Sequence, residues 1–355
     1  MNKRKELYGA KGFTFSQQEV IEALADNRPL TLDLAIQSGC RNRCIYCGWH
    51  GAASKNFLTL EEILDLITQA SNLGVKSIEF LGMGEPTTRK DILVILQQVK
   101  ESGMTPVLFT CGDVVGEDEW SLKIHRESGF QFAEKLFALD VTVMLSYQRQ
   151  YEDDIAGFDG FSAARNLALS RLLEIGFNQV SPTRLGLASV ILRENVGELP
   201  VIYRCALKRN IYPLFCPLMP VGKSKSRESR FTMGISPQEL VDLTARLHKV
   251  ADECGYHIGK VSDFPGSHQC FVSSNGFYID PKGDVYICEG MLDYSLGNVR
   301  QESLADLWQR VQIKKRCIFG ENLCQGLCHV KRCSSIIPVD FETRVLDRLC
   351  QEALL

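Results

Sequence analysis

"TLDLAIQSGCRNRCIYCGWH", residues 31–50, joins a short apolar run to a loop that holds Cys40, Cys44 and Cys47. The apolar half (31–36) reads as a β-strand, and the loop leaves its C-terminal end. The thiol spacing is C-x3-C-x2-C, with Tyr46 directly before the last cysteine. Three thiols so close together suit a soft metal, yet they leave a four-coordinate site one ligand short. Three buried structural thiols are one reading, and zinc completed by His50 is a second. The third is an iron–sulfur centre in which one iron has no protein ligand and is open to a substrate or cofactor.

The pattern downstream is a series of strand-then-helix units. "KSIEFL" (76–81), "TPVLFT" (105–110), "VTVMLS" (141–146), "RLGLASVIL" (184–192) and "IYPLFCPLMP" (211–220) read as further strands. Helical stretches separate them. In "LTLEEILDLITQASNLG", Leu60, Ile63, Leu64 and Ile67 form one apolar stripe, Thr59 with Glu62 makes a capping box, and Gly74 is a stop. Such alternation predicts a parallel α/β sheet. The sixth strand carries Pro213, Pro217 and Pro220, which cannot donate to a ladder, so it is expected at an edge. The expected architecture is a partial (β/α)6 TIM-like barrel that never closes, with its site at the C-terminal strand ends. The cysteine loop lies at that end.

The chain divides into a 1–30 extension, a 31–222 barrel, a 223–256 linker and helix, a 257–335 cysteine-rich domain and a 336–355 C-terminal helix or tail. "GKSKSRESRFTMGIS" (222–236) reads as the linker. "GFYIDPKGDVYIC" (276–288) reads as a hairpin turning at Pro281–Gly283, and residues 317–333 as irregular. With 355 residues there is length for one large domain and a smaller one. The net charge of −3 gives no argument for a nucleic-acid or membrane surface. The basic start lacks an apolar signal-peptide core, and no apolar stretch is long enough to span a bilayer, so the expected location is cytoplasmic. Clustered thiols in a cytosolic chain point to metal or catalysis rather than disulfides.

The cysteine loop resembles that of the radical SAM enzymes, whose C-x3-C-x-aromatic-x-C pattern is matched by Cys40, Cys44, Tyr46 and Cys47. "GMGEP" (82–86), with Gly84 and Glu85, resembles the family's GGEP segment, Met83 standing where glycine is usual. Ser146 ends the fourth strand, where the family often has a ribose-contacting serine. "RENVGEL" (193–199) resembles a segment that brings Arg193 and Asn195 near the cofactor. "FTCG" (109–112) resembles a TNG segment with Cys111 in place of asparagine. The resemblance covers about residues 31–222. It implies a [4Fe–4S] cluster whose open iron chelates S-adenosylmethionine. One electron then splits the cofactor to a 5′-deoxyadenosyl radical, which abstracts hydrogen from a C–H bond. An electron donor such as flavodoxin or ferredoxin is implied as a partner.

Cys270, Cys288, Cys317, Cys324, Cys328 and Cys333 form a second group. With the hairpin and "LCQGLC" it resembles the SPASM and twitch extensions, which bind auxiliary iron–sulfur clusters. The usual C-x2-C pair near the end is reduced to Cys317, so one auxiliary cluster is expected and a second stays open. Structural zinc is the alternative. Cys216, near the end of the sixth strand, is the candidate hydrogen donor of an epimerase, with a buried core thiol as the plainer reading. An oxidation would instead need a base, for which Asp113, Glu85 and Asp263 are available. Tyr147 and Arg149 follow the fourth strand and are candidates to face substrate. The preferred substrate is a small polar biosynthetic intermediate (sugar, aminocyclitol or nucleoside), epimerised or dehydrogenated. The rivals are maturation of a ribosomal peptide and a non-catalytic metal scaffold.

Overall fold

The computed structural model describes residues 5–6, 9–37, 39–48, 56–257, 275–319 and 340–353. Eight strands form one open sheet. They are β1 (Thr31–Leu34), β2 (Ser77–Phe80), β3 (Thr105–Thr110), β4 (Thr142–Ser146), β5 (Leu185–Ile191), β6 (Tyr212–Pro217), β7 (Gly276–Ile279) and β8 (Val285–Tyr286). Their order is β8-β7-β1-β2-β3-β4-β5-β6. All pairs are parallel except the β7–β8 hairpin. β6, with Pro213 and Pro217, stands at the edge, where a missing N–H donor does least harm.

The main helices are α1 (Gln17–Ala25), α2 (Leu60–Asn72), α3 (Ile92–Glu101), α4 (Gly129–Ala138), α5 (Phe161–Ile175), α6 (Leu199–Lys208), α7 (Pro237–Glu253), α8 (Leu304–Phe319) and α9 (Phe341–Ala353). Thr59 and Glu62 cap α2 reciprocally. Side chains alternate across the strands, so each strand has two faces. Leu32, Leu34, Ile78, Phe80, Leu108, Val143, Leu145, Phe215, Phe277 and Ile279 join the helices in the main core. The opposite face turns inward. There Val107, Met144, Tyr212 and Leu214 converge on Ala10 and Phe13 of the N-terminal segment, with Phe109, Ala188 and Cys216 packed against them. Phe13 meets Phe109 and Tyr212 edge-on, with ring centroids 5.7 and 5.8 Å apart. Strands buried on both faces read as unbroken apolar runs, which is why the sequence located all six.

Three features differ from the sequence reading. The hairpin is continuous with the barrel sheet, because β7 pairs along the whole of β1, from Thr31↔Gly276 to Leu34↔Ile279. A division at 257 therefore cuts one sheet. The Arg300 guanidinium bonds both Glu62 carboxylate oxygens, at 2.5 and 2.8 Å, and Trp308 Nε1 donates to Asn27 O at 2.7 Å. Residues 222–236 are ordered rather than a plain linker, with a 3-10 turn at Gly222–Ser224, a helix at Arg227–Met233 and the Ser236 cap of α7. Finally, α8 runs to Phe319, so Cys317 is helical and exposed instead of lying in an irregular segment.

His248 on α7 is buried, and burial drives its pKa down from 6.5 to about 4 against the opposing pull of Asp252. The folded chain thus keeps the ring neutral in a window where the unfolded chain takes a proton. Stability is full above about pH 6.5 and falls as pH drops toward 4, by about 3 kcal/mol from this residue. Denaturant unfolding across that window should show the loss in wild type and lack it in H248Q.

Candidate active site

Cys40, Cys44 and Cys47 sit in the loop after β1, closed by a turn in which Cys47 N donates to Cys44 O at 3.2 Å. Two neighbours hold the loop. Arg43 N and Ile45 N donate to Ala156 O and Ile155 O, at 2.7 and 2.9 Å. On the other side Glu85 N, in the segment after β2, donates to Gly39 O at 2.8 Å. The buried Glu85 carboxylate is itself saturated. Oε1 accepts from Thr87 N (3.2 Å), Thr87 Oγ1 (2.6 Å) and Thr110 Oγ1 (2.6 Å), and Oε2 accepts from Cys111 N (2.8 Å). One side chain therefore locks the exits of β2 and β3 together while its backbone carries the cysteine loop. Gly84 lies in the turn leading to it. Gly82, at φ +98, admits no side chain, since a Cβ there would lie 2.8 Å from Tyr278 Oη of β7.

Arg41, between the first two cysteines, is clamped from several sides. Its Nε lies 2.9 Å from Asp113 Oδ2, its far end pairs with Glu117, and its guanidinium sits 5.2 Å from the Trp120 ring centroid and 4.6 Å from that of Phe158. Asp113 is fully buried, and its pKa is pushed up to about 6 by burial and then by Glu85, against the pull of Arg41.

Tyr46 Oη lies 3.4 Å from Ser146 Oγ. Gln148 Nε2 donates to both, at 2.9 and 3.0 Å, while Gln148 Oε1 accepts from Val190 N at 2.6 Å. Behind it the buried Glu152 accepts from Gln148 N and pairs with the buried Arg165. Burial pushes Glu152 up to about 7 despite that partner. Gln148 escaped the sequence reading. Its only local signal is a polar residue two positions beyond a strand end.

Asn195 is wholly engaged by its own loop, with Oδ1 accepting from Leu192 N (2.9 Å) and Nδ2 donating to Val190 O (2.8 Å). Arg193 is exposed, and its guanidinium donates to Phe231 O and Gly234 O at 3.3 and 3.2 Å. Tyr147 lies under Arg165, 3.7 Å from ring centroid to guanidinium, and Arg149 is tied to Asp154, Tyr151 O and Glu194 O. Cys216 lies on the inner face, opposite Val190 in the β5–β6 register. That face also carries buried Asp33 and Glu79, neighbours in the β1–β2 register, and Tyr278, which pairs with Asp33 across β7. Burial first, then Glu289, Asp280 and Asp33, hold the Tyr278 hydroxyl protonated. The sign of this polar set was a lone acid inside each of two apolar strands.

Cys288 follows β8, and its carbonyl accepts from Met291 N at 3.0 Å. Cys270, Cys324, Cys328 and Cys333, with His50 and Asp263, lie outside the described residues.

The donor set fits a soft cationic centre. Burial, then Glu85, pushes the Cys40 thiol far above the usual range, and burial, then Cys47, pushes Cys44 up to about 12. Thiolates so placed repel one another and need a metal to form at neutral pH. The nearest described carboxylates are committed, Glu85 to its four donors and Asp113 to Arg41. Glu85 and Asp113 bear on Cys40 by charge, and Glu152 on Cys44, while the loop itself offers three thiols as soft donors.

Residues 34–133 match the Radical SAM superfamily, and residues 270–334 match the SPASM iron–sulfur cluster-binding domain. The chain carries a radical SAM domain and a C-terminal SPASM domain. The two domains imply a [4Fe–4S] cluster, S-adenosylmethionine and auxiliary iron–sulfur clusters. The chain is similar to the PqqA peptide cyclase of Rhizobium meliloti (strain 1021), at 23% identity over 91% of this chain and 90% of that protein. It is 42% identical to the probable GTP 3′,8-cyclase of Thermococcus kodakarensis (strain ATCC BAA-918 / JCM 12380 / KOD1), but over only 21% of this chain and 24% of that protein. Among solved structures, Streptococcus suis SuiB bound to precursor peptide SuiA superimposes with a TM-score of 0.61 at 16% identity, covering 92% of this chain and 79% of that one. No helix among the described residues is long and apolar enough to cross a membrane.

The Arg41–Asp113 pair is testable by a double-mutant cycle. R41A strands a buried carboxylate and should cost about 3–5 kcal/mol of unfolding free energy. R41A/D113A should recover part of that loss, with a coupling of about 2 kcal/mol or more. Additive single effects would show that the pair does not hold the loop.

Proposed function

We propose that this radical SAM enzyme abstracts a hydrogen atom from a carbon of a peptide substrate and that the Cys216 thiol returns a hydrogen atom to that carbon, inverting it and leaving a thiyl radical that one solvent proton and one electron from a reduced auxiliary cluster convert back to the thiol. When bound, the cluster and S-adenosylmethionine supply a 5′-deoxyadenosyl radical. The chain's own residues position and shield. Cys40, Cys44 and Cys47 hold the cluster, and the backbone at Gly84–Glu85 lies against their loop for the cofactor's amino group. Tyr46 and Ser146, joined through Gln148, face the adenosine, while Arg193 and Asn195 shape the next loop. Cys270, Cys288, Cys317, Cys324, Cys328 and Cys333 supply the auxiliary ligands.

The observation that carries the reading is Cys216 on the inner face with Phe109, Ala188 and Met144, where a thiol meets whatever fills the barrel. The peptide is supported by the PqqA peptide cyclase, similar along nearly its whole length. It is also supported by a sheet open at β6, which gives an extended chain a lateral way in. One observation favours the second reading, a small polar sugar, aminocyclitol or nucleoside. Asp33, Glu79 and Tyr278 on the inner face suit hydroxyl or amine groups.

Reconstituted protein with dithionite should release 5′-deoxyadenosine from S-adenosylmethionine. In heavy water the product should carry one solvent deuterium at the inverted carbon. C216A should still cleave the cofactor but yield no inverted product. A deuterium-free product with a new carbonyl or double bond would replace epimerisation by oxidation.

Q148A leaves Tyr46 and Ser146 without their shared donor. It should raise the apparent KM for S-adenosylmethionine about tenfold, the effect of roughly 1.4 kcal/mol, with kcat much less changed. An unchanged KM would remove Gln148 from the cofactor pocket.

A further inference from the structure

The segment 221–233 does more than connect β6 to α7. It lies directly on the cysteine loop. Lys223 Nζ donates to Cys44 O (2.8 Å) and Arg43 O (3.2 Å). Gly222, at φ +52, packs so tightly that a Cβ there would stand 2.1 Å from Gly48 O. The outer side of this strap is cationic in a chain whose net charge is −3. Lys223, Lys225 and Arg227 are exposed, Arg230 is half-buried, and Arg43 is exposed beside them. Glu228 and Asp293 are acids on this face, with Glu194 beside Arg193 at its edge, and Asp293 pairs with Lys225 at 3.5 Å between two largely exposed side chains, a weak tie. The face also carries Phe231 and Tyr294, each 79% exposed, the most exposed large apolar side chains among the described residues. Cations around exposed aromatics are the composition of a protein-docking surface rather than of an idle solvated loop.

We propose that this strap, Lys223–Arg230 with Phe231 and Tyr294, is where an acidic, low-potential one-electron carrier protein docks to reduce the cluster held by Cys40, Cys44 and Cys47. Charge selects the partner, because a carrier with an anionic face is steered to the patch. Position selects its purpose, because Lys223 touches the carbonyl of Cys44 and a docked carrier stands over the cysteine loop. The step moves one electron. The carrier is oxidised, the cluster is reduced, and no bond is made or broken. The inference rests on the three cysteines being the cluster ligands, but not on the substrate or on Cys216.

The test uses the reconstituted enzyme and a flavodoxin as probe, with two readouts. One is the flavodoxin dissociation constant by calorimetry at low and high salt. The other is the rate at which flavodoxin hydroquinone bleaches the cluster absorbance. K225E/R227E should weaken binding about tenfold or more and flatten its salt dependence, while bleaching by dithionite, which needs no docking, stays at the wild-type rate. F231A/Y294A should weaken binding at all salt concentrations. D293N, which removes an acid from the face, should tighten it. Wild-type flavodoxin affinity in K225E/R227E would overturn the proposal, and so would an equal loss of dithionite-driven bleaching. Loss of affinity for an acidic peptide with flavodoxin binding intact would overturn it in favour of a substrate-docking role.

Discussion

A single buried carboxylate organises the site. Glu85 accepts four hydrogen bonds from Thr87, Thr110 and Cys111, and its own N–H carries Gly39 at the head of the cysteine loop. Burial of such a group is tolerable because four donors meet its two oxygens, three on Oε1 and one on Oε2. The payoff is geometric. Two strand exits and the loop are fixed to one another, so the loop that carries the three thiols has one place in the fold. Gly82 belongs to the same constraint, since Tyr278 from β7 occupies the space a side chain would need.

A second layer of buried polar links continues outward. Arg41 and Asp113 fasten the loop to the segment after β3, while Gln148 fastens Tyr46 and Ser146 to β5. Each link crosses between elements far apart in sequence, and each is enclosed, where hydrogen bonds are strong and an unmade one is costly. The site is therefore preorganised by its own backbone frame before any cofactor arrives. The hairpin adds to that frame from the other side of β1, which makes the C-terminal region a structural part of the barrel.

Much of this was legible locally. The six strands announce themselves as apolar runs, the edge position of β6 follows from Pro213 and Pro217, and the thiol spacing identifies the loop. What escaped is non-local. Nothing in residues 276–279 states that they will pair with residues 31–34, because that register depends on the whole intervening chain. Gln148 looks like an ordinary loop residue until Tyr46 and Ser146 are placed around it. The polar stretch 222–236 reads as a linker by composition, yet Lys223 finds the Cys44 carbonyl and turns it into a strap. The GMGEP motif marks its backbone for the cofactor, and only the structure shows that the Glu85 side chain is spent on the frame.

The account stands on an iron that the three cysteines leave open to S-adenosylmethionine. The direct measurement is the electron paramagnetic resonance spectrum of the anaerobically reconstituted, reduced enzyme before and after S-adenosylmethionine is added. With the SPASM cysteines replaced, so that only the first cluster contributes, the spectrum should shift on addition. A spectrum that S-adenosylmethionine leaves unaltered, from a centre fully ligated by protein, would contradict the account.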